Sequence, residues 1–493
     1  MMVLRVIIVG AGVIGASIAY VFSTIKNVEV IVVEKEPDVC WGVSKANTGI
    51  IHPGHEEDPR AHPLRAKLCV EGNKIWREWS SLMNIPFEER GELMIFTTLE
   101  ERREALKYVE FAKLNNVPGV SLLEGQEVLM LERGVAPSVL GAVYAKTAGI
   151  ISPFEATITL IENSVANGAK LLVNTEVKRI IIENGEVRGV ETNRGIIDGD
   201  VVVNAAGLYS DKLAHTAGVE LDFKIRPRRG QYIVFERDVE PKPRVILHTT
   251  PTPLTKGVYV VTTVHGNLLI GPTAEDLDYD EKENTATTET GLEQLIKEAS
   301  KIYRIPPRSK VIRFFSGLRP EPPDGNWLIK AYDDPWGLIS VAGIRSPGLT
   351  AAPAIAYYVK EIVEEVFDLK FEGKEEIKVI KSMERMAEKS YKEIDKLIRQ
   401  NPDYGEVVCY CNVVSKAEVL EALRRTLEIG AVPTIDGVKF RTTAGFGRCQ
   451  GSKCRINVAQ IISEVTGKPL HAVMWRRSPI GIGDVKVLLR QEI

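Results

Sequence analysis

The chain opens on an unbroken apolar run, Val6-Ile7-Ile8-Val9. That is the pattern of a strand buried on both faces. Gly10-Ala11-Gly12-Val13-Ile14-Gly15 follows, then a mostly apolar stretch from Ala16 to Phe22, a second apolar run from Val28 to Val33, and an acid, Glu34. The order predicts strand, glycine turn, helix and strand. The three glycines do different things. Gly10 allows the tight turn, Gly12 lets backbone approach a pyrophosphate, and Gly15 lets the helix pack against the strand. The helix N-terminus turns its positive end toward the phosphates. Glu34 falls at the spacing that accepts hydrogen bonds from an adenosine ribose.

Beyond Glu34, Gly42 to Gly54 is rich in small and hydroxyl residues, which let backbone amides and side chains come close to a ligand. Pro63 to Leu82 has helical apolar spacing; Gly91 to Thr97 reads as a strand and Leu99 to Leu114 as a helix. Gly149-Ile150-Ile151 precedes a helix from about Pro153 to Asn167. Strands at Lys170–Val173 and Glu176–Ile182 follow, with a hairpin turn at Asn184-Gly185. Asp200 to Leu208 is a buried-type strand ending in small residues, where a doubly wound sheet binds its ligand. Arg229–Phe235, Gly257–Thr263 and Asn267–Gly271 read as antiparallel strands, with His265-Gly266-Asn267 as a turn. Val311–Arg319 and Leu338–Gly343 are further strands, and Ser346 to Thr350 opens a helix running to about Phe367.

This pattern predicts an α/β chain: a Rossmann-like nucleotide-binding domain from about 1–82, 143–220 and 330–370, interleaved with an α+β substrate domain, built on an antiparallel sheet, from about 83–142 and 221–329. Glu372 to Gln400 is charged with no core of its own and reads as a helical linker, 371–401. A small third domain occupies 402–493.

Composition narrows the classes. The 493 residues accommodate two or three domains, and 44% hydrophobic content supplies their cores. A net charge of −3 argues against nucleic acid as a partner. The start is itself a core strand without a small-residue cleavage site, so no secretory signal is expected. The most apolar candidate for a membrane span, Trp336 to Val359, is broken by Arg345, Pro347 and Pro353. A cytoplasmic protein without a membrane span is expected, with peripheral docking on a membrane complex left open. Of six cysteines, Cys40 and Cys69 stand alone and read as buried small hydrophobes. Cys409, Cys411, Cys449 and Cys454 cluster late, which in an intracellular protein reads as a metal or iron-sulfur site before disulfides.

The Gly10–Gly15 turn with Ala19, Glu34, the Asn47-Thr-Gly-Ile-Ile-His-Pro-Gly54 loop, Asn204-Ala-Ala-Gly207, Gly271-Pro-Thr273, Gly317-Leu-Arg-Pro320 and the Gly343–Thr350 loop occur in the order of one family. The chain resembles the FAD-dependent family of D-amino-acid oxidase, glycerol-3-phosphate dehydrogenase and L-2-hydroxyglutarate dehydrogenase. The resemblance implies FAD rather than NAD. Its implied contacts are Gly10, Gly12, Val13, Ile14 and Gly15 of the first turn, Glu34 and Lys35 after the second strand, and Ser44, Asn47, Thr48, Gly49 and Ile51 of the loop over the flavin. Val177, then Ala205, Ala206 and Gly207, and the late Gly343, Pro347, Gly348, Leu349 and Thr350, complete the set. The late loop departs from the Gly-Gly-Lys-Leu-Thr usual in glycerol-3-phosphate dehydrogenases, and the early loop looks more like the hydroxyglutarate branch.

Cys409-Tyr-Cys411, then thirty-seven residues, then Cys449-Gln-Gly-Ser-Lys-Cys454 resembles the [2Fe-2S] module named after the bacterioferritin-associated ferredoxin. Four thiolates are what a [2Fe-2S] cluster takes, two per iron; structural zinc is the alternative, against which the Cys-x-Cys spacing speaks. A flavin region followed by this module resembles the large subunit of anaerobic glycerol-3-phosphate dehydrogenase. That arrangement implies two partners, a second flavoprotein and a small electron-transfer subunit.

Three residues are candidates for the chemistry. Arg319 and Arg345 each offer a two-pronged guanidinium to a substrate carboxylate or phosphate, or else form structural salt bridges. His52, in the flavin loop, is a candidate base for a hydroxyl proton, with a near-neutral pKa expected, or else a backbone-bonded neighbour of the flavin. His248 and Tyr259 are pocket candidates better read as packing, and His265 reads as a turn residue only. The expected reaction is oxidation of a small anionic alcohol by hydride transfer to FAD, glycerol 3-phosphate first, with L-2-hydroxyglutarate or an amino acid or amine as alternatives. A non-catalytic flavin and iron-sulfur electron carrier is the competing class.

Overall fold

The computed structural model describes residues 3–221, 224–252 and 255–480. Residues 222–223 and 253–254 of the expected substrate domain, and 481–493 of the expected third domain, lie outside the described residues.

The first apolar run forms the strand Leu4–Val9 in the middle of a six-stranded sheet. Val28–Val33 and Lys170–Leu172 lie to one side, Val201–Asn204 and Leu338–Ala342 to the other, all parallel, with Leu328–Ala331 as an antiparallel edge. The chain leaves Leu4–Val9 in one direction and returns on its opposite side. Its carboxyl end is thus the switch point where a doubly wound sheet opens a crevice. Helices Val13–Ser23, Pro153–Ala166 and Gly348–Val366 cover one face, burying Ile18, Phe22, Leu160, Ile355 and Val359 against Val6, Ile8, Val30 and Val203. A three-stranded meander, Val177 to Asp198, and the helix Ser210–His215 cover the other.

A second sheet is built around two long strands, Arg226–Phe235 and Val311–Glu321, paired antiparallel along nearly their whole length. It continues through Leu268–Gly271, Tyr259–Thr262, Ile246–Thr249, Glu92–Phe96, Gly141–Ala145 and Val120–Glu124. Ile246–Thr249 runs parallel to Glu92–Phe96, an exception to the antiparallel reading. A third, short sheet pairs Ile50–Ile51 with Gly149–Ile151. It holds the end of the flavin loop as a strand, so His52 emerges at a fixed point.

The late module is a hairpin, Val407–Cys409 with Val414–Ser415, followed by helices Lys416–Glu428, Ile435–Thr442 and Arg455–Thr466. Ser415 and Glu418 close a capping box at the first of these helices. Cys409 and Cys454 belong to the module's own apolar core. The module is docked on the first domain by a buried two-pronged pair, Arg441 to Asp38 at 2.6 and 3.1 Å. Phe440 and Phe446 each pack 5.4 Å from Phe154.

The expected helical linker is a helix only at Tyr391–Gln400, where Ser390 and Glu393 form a capping box. Residues 369–384 instead run extended along the surface. The side-chain amides of Asn163 and Asn167 supply what a neighbouring strand would. Asn163 donates to Ile380 O and accepts from Ile380 N, and Asn167 does the same with Lys378, all at 2.8–2.9 Å. Ladder-type bonding to a rigid helix outcompeted a helix of its own.

Candidate active site

A cleft of about 1430 Å³ runs from the carboxyl end of Leu4–Val9 to the second sheet. A single small-ligand pocket holds roughly 300–1,000 Å³, so this one has room for a dinucleotide and a substrate.

At the outer end the wall is mostly backbone. Gly10 sits at φ +107°, and a Cβ on it would lie 2.6 Å from Ala205 O. A Cβ on Gly12 would meet Ser44 Oγ at 2.9 Å, and one on Gly15 would lie 1.9 Å from Gly10 O. Ser44 Oγ accepts from Val13 N at 2.9 Å and so caps the exposed start of the first helix. Glu34 ends its strand with Oε2 accepting from Ala11 N at 2.8 Å and Oε1 from Glu36 N at 3.0 Å. Burial still pushes its carboxyl up, against those two donors. Lys35 lies over the Tyr209 ring, 3.9 Å from its centre. Asn47 bridges the flavin loop, donating to Ser44 O and accepting from Gly49 N, both at 2.8 Å.

Of the residues singled out from the sequence, Gly10, Gly12, Val13, Ile14, Glu34, Lys35, Ser44, Asn47, Thr48, Val177, Ala205, Ala206, Gly207, Pro347, Gly348, Leu349 and Thr350 line the cleft, with His52, Arg319 and Arg345. Gly15, Gly49, Ile51 and Gly343 stand behind its wall. Ile51 packs in the main core while Ile50 reaches the cleft. His248 is likewise buried behind, its ring stacked 4.6 Å from that of Tyr259.

The inner end is a knot of ionisable side chains. His52 is pinned by its backbone: its N donates to Thr350 Oγ1 at 2.9 Å and its O accepts from Asn73 at 3.0 Å. Its Nδ1 lies 3.4 Å from Glu56 and 3.9 Å from Glu92. Burial pushes its imidazolium down to about 3, although Glu56 pulls the other way. The near-neutral pKa expected from the sequence is therefore corrected: desolvation outweighs the adjacent carboxylate. Burial pushes Glu56 up, yet Lys256 and three imidazoles outweigh it and hold the carboxylate well below its ordinary range. Lys256 reaches Glu56 at 3.1 Å and also bonds Glu57, which pairs with Arg65. Glu92, fully buried and touching His55 at 3.3 Å, is pushed well up by burial and by Glu56.

Arg319 lies near the end of Val311–Glu321, an edge strand paired with Arg226–Phe235, donates to Thr273 O at 2.7 Å, and keeps a buried Nε without a partner among the described residues. Arg345 faces the same cleft but is tied to Glu321 at 3.1 Å, which Arg228 also holds at 2.9 Å. His265 sits in its turn, as expected, but is not idle: it pairs with Glu155 at 3.0 Å and with Arg385, and lines the cleft.

Sequence reasoning missed Glu56, Glu57, Arg65, Glu92 and Lys256. The run His52-Pro-Gly-His55-Glu56-Glu57 carried a signal, with two imidazoles and two acids beside the flavin loop. Lys256 and Glu92 carried none, because only the second sheet brings them in.

Residues 5–362 match the family described as FAD dependent oxidoreductase. The chain belongs to that family. Residues 407–464 match the BFD-like [2Fe-2S] binding domain. The chain is similar to a glycerol 3-phosphate dehydrogenase of Caloramator mitchellensis, 37% identical over 94% of both chains. It is also similar to the L-alpha-glycerophosphate oxidase of Mycoplasma pneumoniae, solved with FAD bound, at TM-score 0.71 and 29% identity, covering 78% of this chain and all of that one. One subunit of the anaerobic glycerol-3-phosphate dehydrogenase of Escherichia coli is 26% identical over 67% of this chain and 58% of its own.

This FAD-dependent oxidoreductase thus has two cofactors, FAD and a [2Fe-2S] cluster, and the residues present fit both. The glycine cradle leaves no space for side chains where a pyrophosphate approaches, and Glu34 stands at the strand end. The four late thiols influence one another as two pairs, Cys409 with Cys454 and Cys411 with Cys449, though among the described residues no three such side chains stand close enough to hold a metal ion. Two thiols per iron is the arrangement a [2Fe-2S] cluster takes. The Cys454 thiol, followed by the amides of Gly445, Asn412 and Cys411, draws Cys409 down to about 6 against its burial. Amides aimed at sulfur favour the thiolate at Cys409, while its partner Cys454 is pushed up in turn, as is Cys411. Cys40 and Cys69 are fully buried, and burial pushes both thiols up, Cys40 to about 12. Among the described residues no helix is long and apolar enough to cross a membrane.

Proposed function

We propose that this oxidoreductase converts sn-glycerol 3-phosphate to dihydroxyacetone phosphate. The reading is carried by one observation: His52 and Arg319, from segments 267 residues apart in sequence, both line the cleft that the glycine turn opens. Likeness to glycerol 3-phosphate dehydrogenase along nearly the full chain supports the choice of substrate.

FAD supplies the hydride acceptor. Arg319, with an unpartnered buried Nε, faces the anionic group of the substrate as a planar fork. Arg345 stands beside it, held by Glu321. His52 is neutral at working pH and takes the hydroxyl proton as the carbinol hydrogen leaves with its electron pair. The knot of buried side chains keeps water from that carbon. Cys409, Cys411, Cys449 and Cys454 would hold the [2Fe-2S] cluster, which would supply one-electron transfer toward a second flavoprotein and a small electron-transfer subunit, in the cytoplasm or against a membrane complex. The name of the Escherichia coli relative, which is that of one component in a larger enzyme, supports such an assembly. We take the flavin-binding part as 1–82, 143–220 and 330–370, with the substrate domain between.

Anaerobic bleaching of the flavin by a panel of glycerol 3-phosphate, L-2-hydroxyglutarate and amino acids tests the reading. Glycerol 3-phosphate should bleach fastest; bleaching by another member alone reassigns the substrate, and by none supports an electron carrier. For the relay, Cys449→Ser should leave substrate bleaching intact and sharply reduce turnover with the natural partner. Equal turnover in this variant removes the cluster from the path.

A further inference from the structure

The proton removed by His52 must come off toward Nε2, which requires that Nδ1 already carry a hydrogen. We propose that Glu56 is the positioning residue that enforces this: its carboxylate faces His52 Nδ1 and holds the ring in the Nδ1–H tautomer. The inference rests on the reading of His52 as the base.

The geometry is local in origin. Gly54, at φ +99° with no space for a Cβ against Val70, turns the chain so that residues 52 and 56 face one another. Glu56 Oε2 then lies 3.4 Å from His52 Nδ1, an ion-pair distance, and that buried nitrogen has no hydrogen-bond partner among the described residues. Glu56 is itself fixed. Tyr259 OH donates to Oε1 at 3.1 Å, and Lys256 Nζ sits 3.1 Å from Oε2. The His52 backbone is pinned on both sides, and the Tyr259 ring meets the imidazole edge-on at 5.9 Å.

The other acids near by are poor substitutes. Glu57 is committed to Arg65 and Lys256. Glu92 is farther, at 3.9 Å, and burial pushes its carboxyl well up. His55 faces Glu92, and His248 lies 3.9 Å from the outer oxygen of Glu56. Glu56 is thus the carboxylate nearest Nδ1. In the reaction the substrate O–H bond breaks and its proton goes to Nε2, while the carbinol C–H pair leaves as hydride to FAD. The imidazolium that forms is paired with the Glu56 carboxylate, which stays ionised. A carboxylate behind a catalytic histidine works through tautomer and charge, without taking the proton.

The test uses the FAD-loaded full chain, with ¹⁵N-labelled histidine and His52→Asn to assign the ring signals. In the wild type His52 should show the Nδ1–H tautomer; an Nε2–H tautomer overturns the inference. Glu56→Gln should slow anaerobic flavin bleaching by glycerol 3-phosphate at least tenfold and change its pH profile, with FAD content normal, while Glu56→Asp recovers part of the rate. Bleaching of Glu56→Gln within twofold of wild type overturns it as well. Should Glu56→Gln not retain FAD, the wild-type tautomer and the Glu56→Asp rate still decide. A wild type that glycerol 3-phosphate does not bleach refutes the substrate, while the tautomer result stands separately.

Discussion

The two ends of the cleft are built by opposite means. The outer end holds its ligand with backbone: Gly10, Gly12 and Gly15 remove side chains where a phosphate comes close, and Ser44 caps the helix start. These parts lie within 35 residues of one another in sequence. The inner end works with side chains. His52, Glu56, Glu92 and Lys256 come from distant segments and meet, with Arg319 lining the same cleft, only because the second sheet brings them in. Backbone recognition tolerates almost no added atom, whereas a charged cluster tolerates changes of shape but not of charge or protonation.

The outer end should therefore be broken most completely by a single methyl group. Gly15→Ala places a Cβ 1.9 Å from Gly10 O, in a turn with no slack. We expect FAD affinity to fall roughly a hundredfold or more, about 3 kcal/mol, read from the flavin-to-protein absorbance ratio. Normal flavin content in this variant would show that the cradle has room to move.

Acid should act next, and on the inner end. The folded chain protonates His52 only at about 3 and His55 only at about 4, whereas the unfolded chain does so near 6.5. Their folded values are depressed, so their contribution is complete above about 6.5 and is lost as pH falls toward 4. At the outer end Glu34 has the opposite sign, since burial raises its carboxyl and its ionisation on raising the pH costs stability. Tm should fall between pH 6.5 and 4.5, and less steeply in His55→Gln. A flat wild-type Tm over that range would mean the knot is wet or already charged.

The smallest of these effects isolates geometry from charge. Arg319→Lys keeps the cation and loses the planar fork. A decrease of about tenfold in kcat/KM is expected, about 1.4 kcal/mol of transition-state stabilisation, with flavin content unchanged. Unchanged kinetics would place the anionic group elsewhere, Arg345 and Lys256 being other cations that line the cleft.

The legibility of each part follows its range in sequence. The helix Leu99–Leu114 has the limits its apolar spacing gives, and a Thr98–Glu101 capping box starts it. The hairpin at Asn184-Gly185 joins Val177–Glu183 to Glu186–Thr192, as a two-residue turn should. The strand Ile246–Thr249 is not legible, because four residues with a central histidine carry too little pattern. The linker misled because charge and helical propensity describe an isolated segment. Its extended path was decided by Asn163 and Asn167, two amides on a helix more than 200 residues earlier.

Sequence by itself determined the nucleotide-binding unit, its apolar strands and the four cysteines of the cluster module. Each rests on short-range spacing: a turn needs its glycines in place, a buried strand needs its apolar run, and paired thiols need a fixed offset. Tertiary structure alone decided that His52 is a buried neutral imidazole rather than a near-neutral one, and that Glu56 stands behind it. It also decided that Arg345 is tied to Glu321 while Arg319 keeps an unpartnered Nε, and that His265 joins Glu155 and Arg385. Desolvation and charge pairing depend on which segments meet, and the local pattern of a chain carries no record of that.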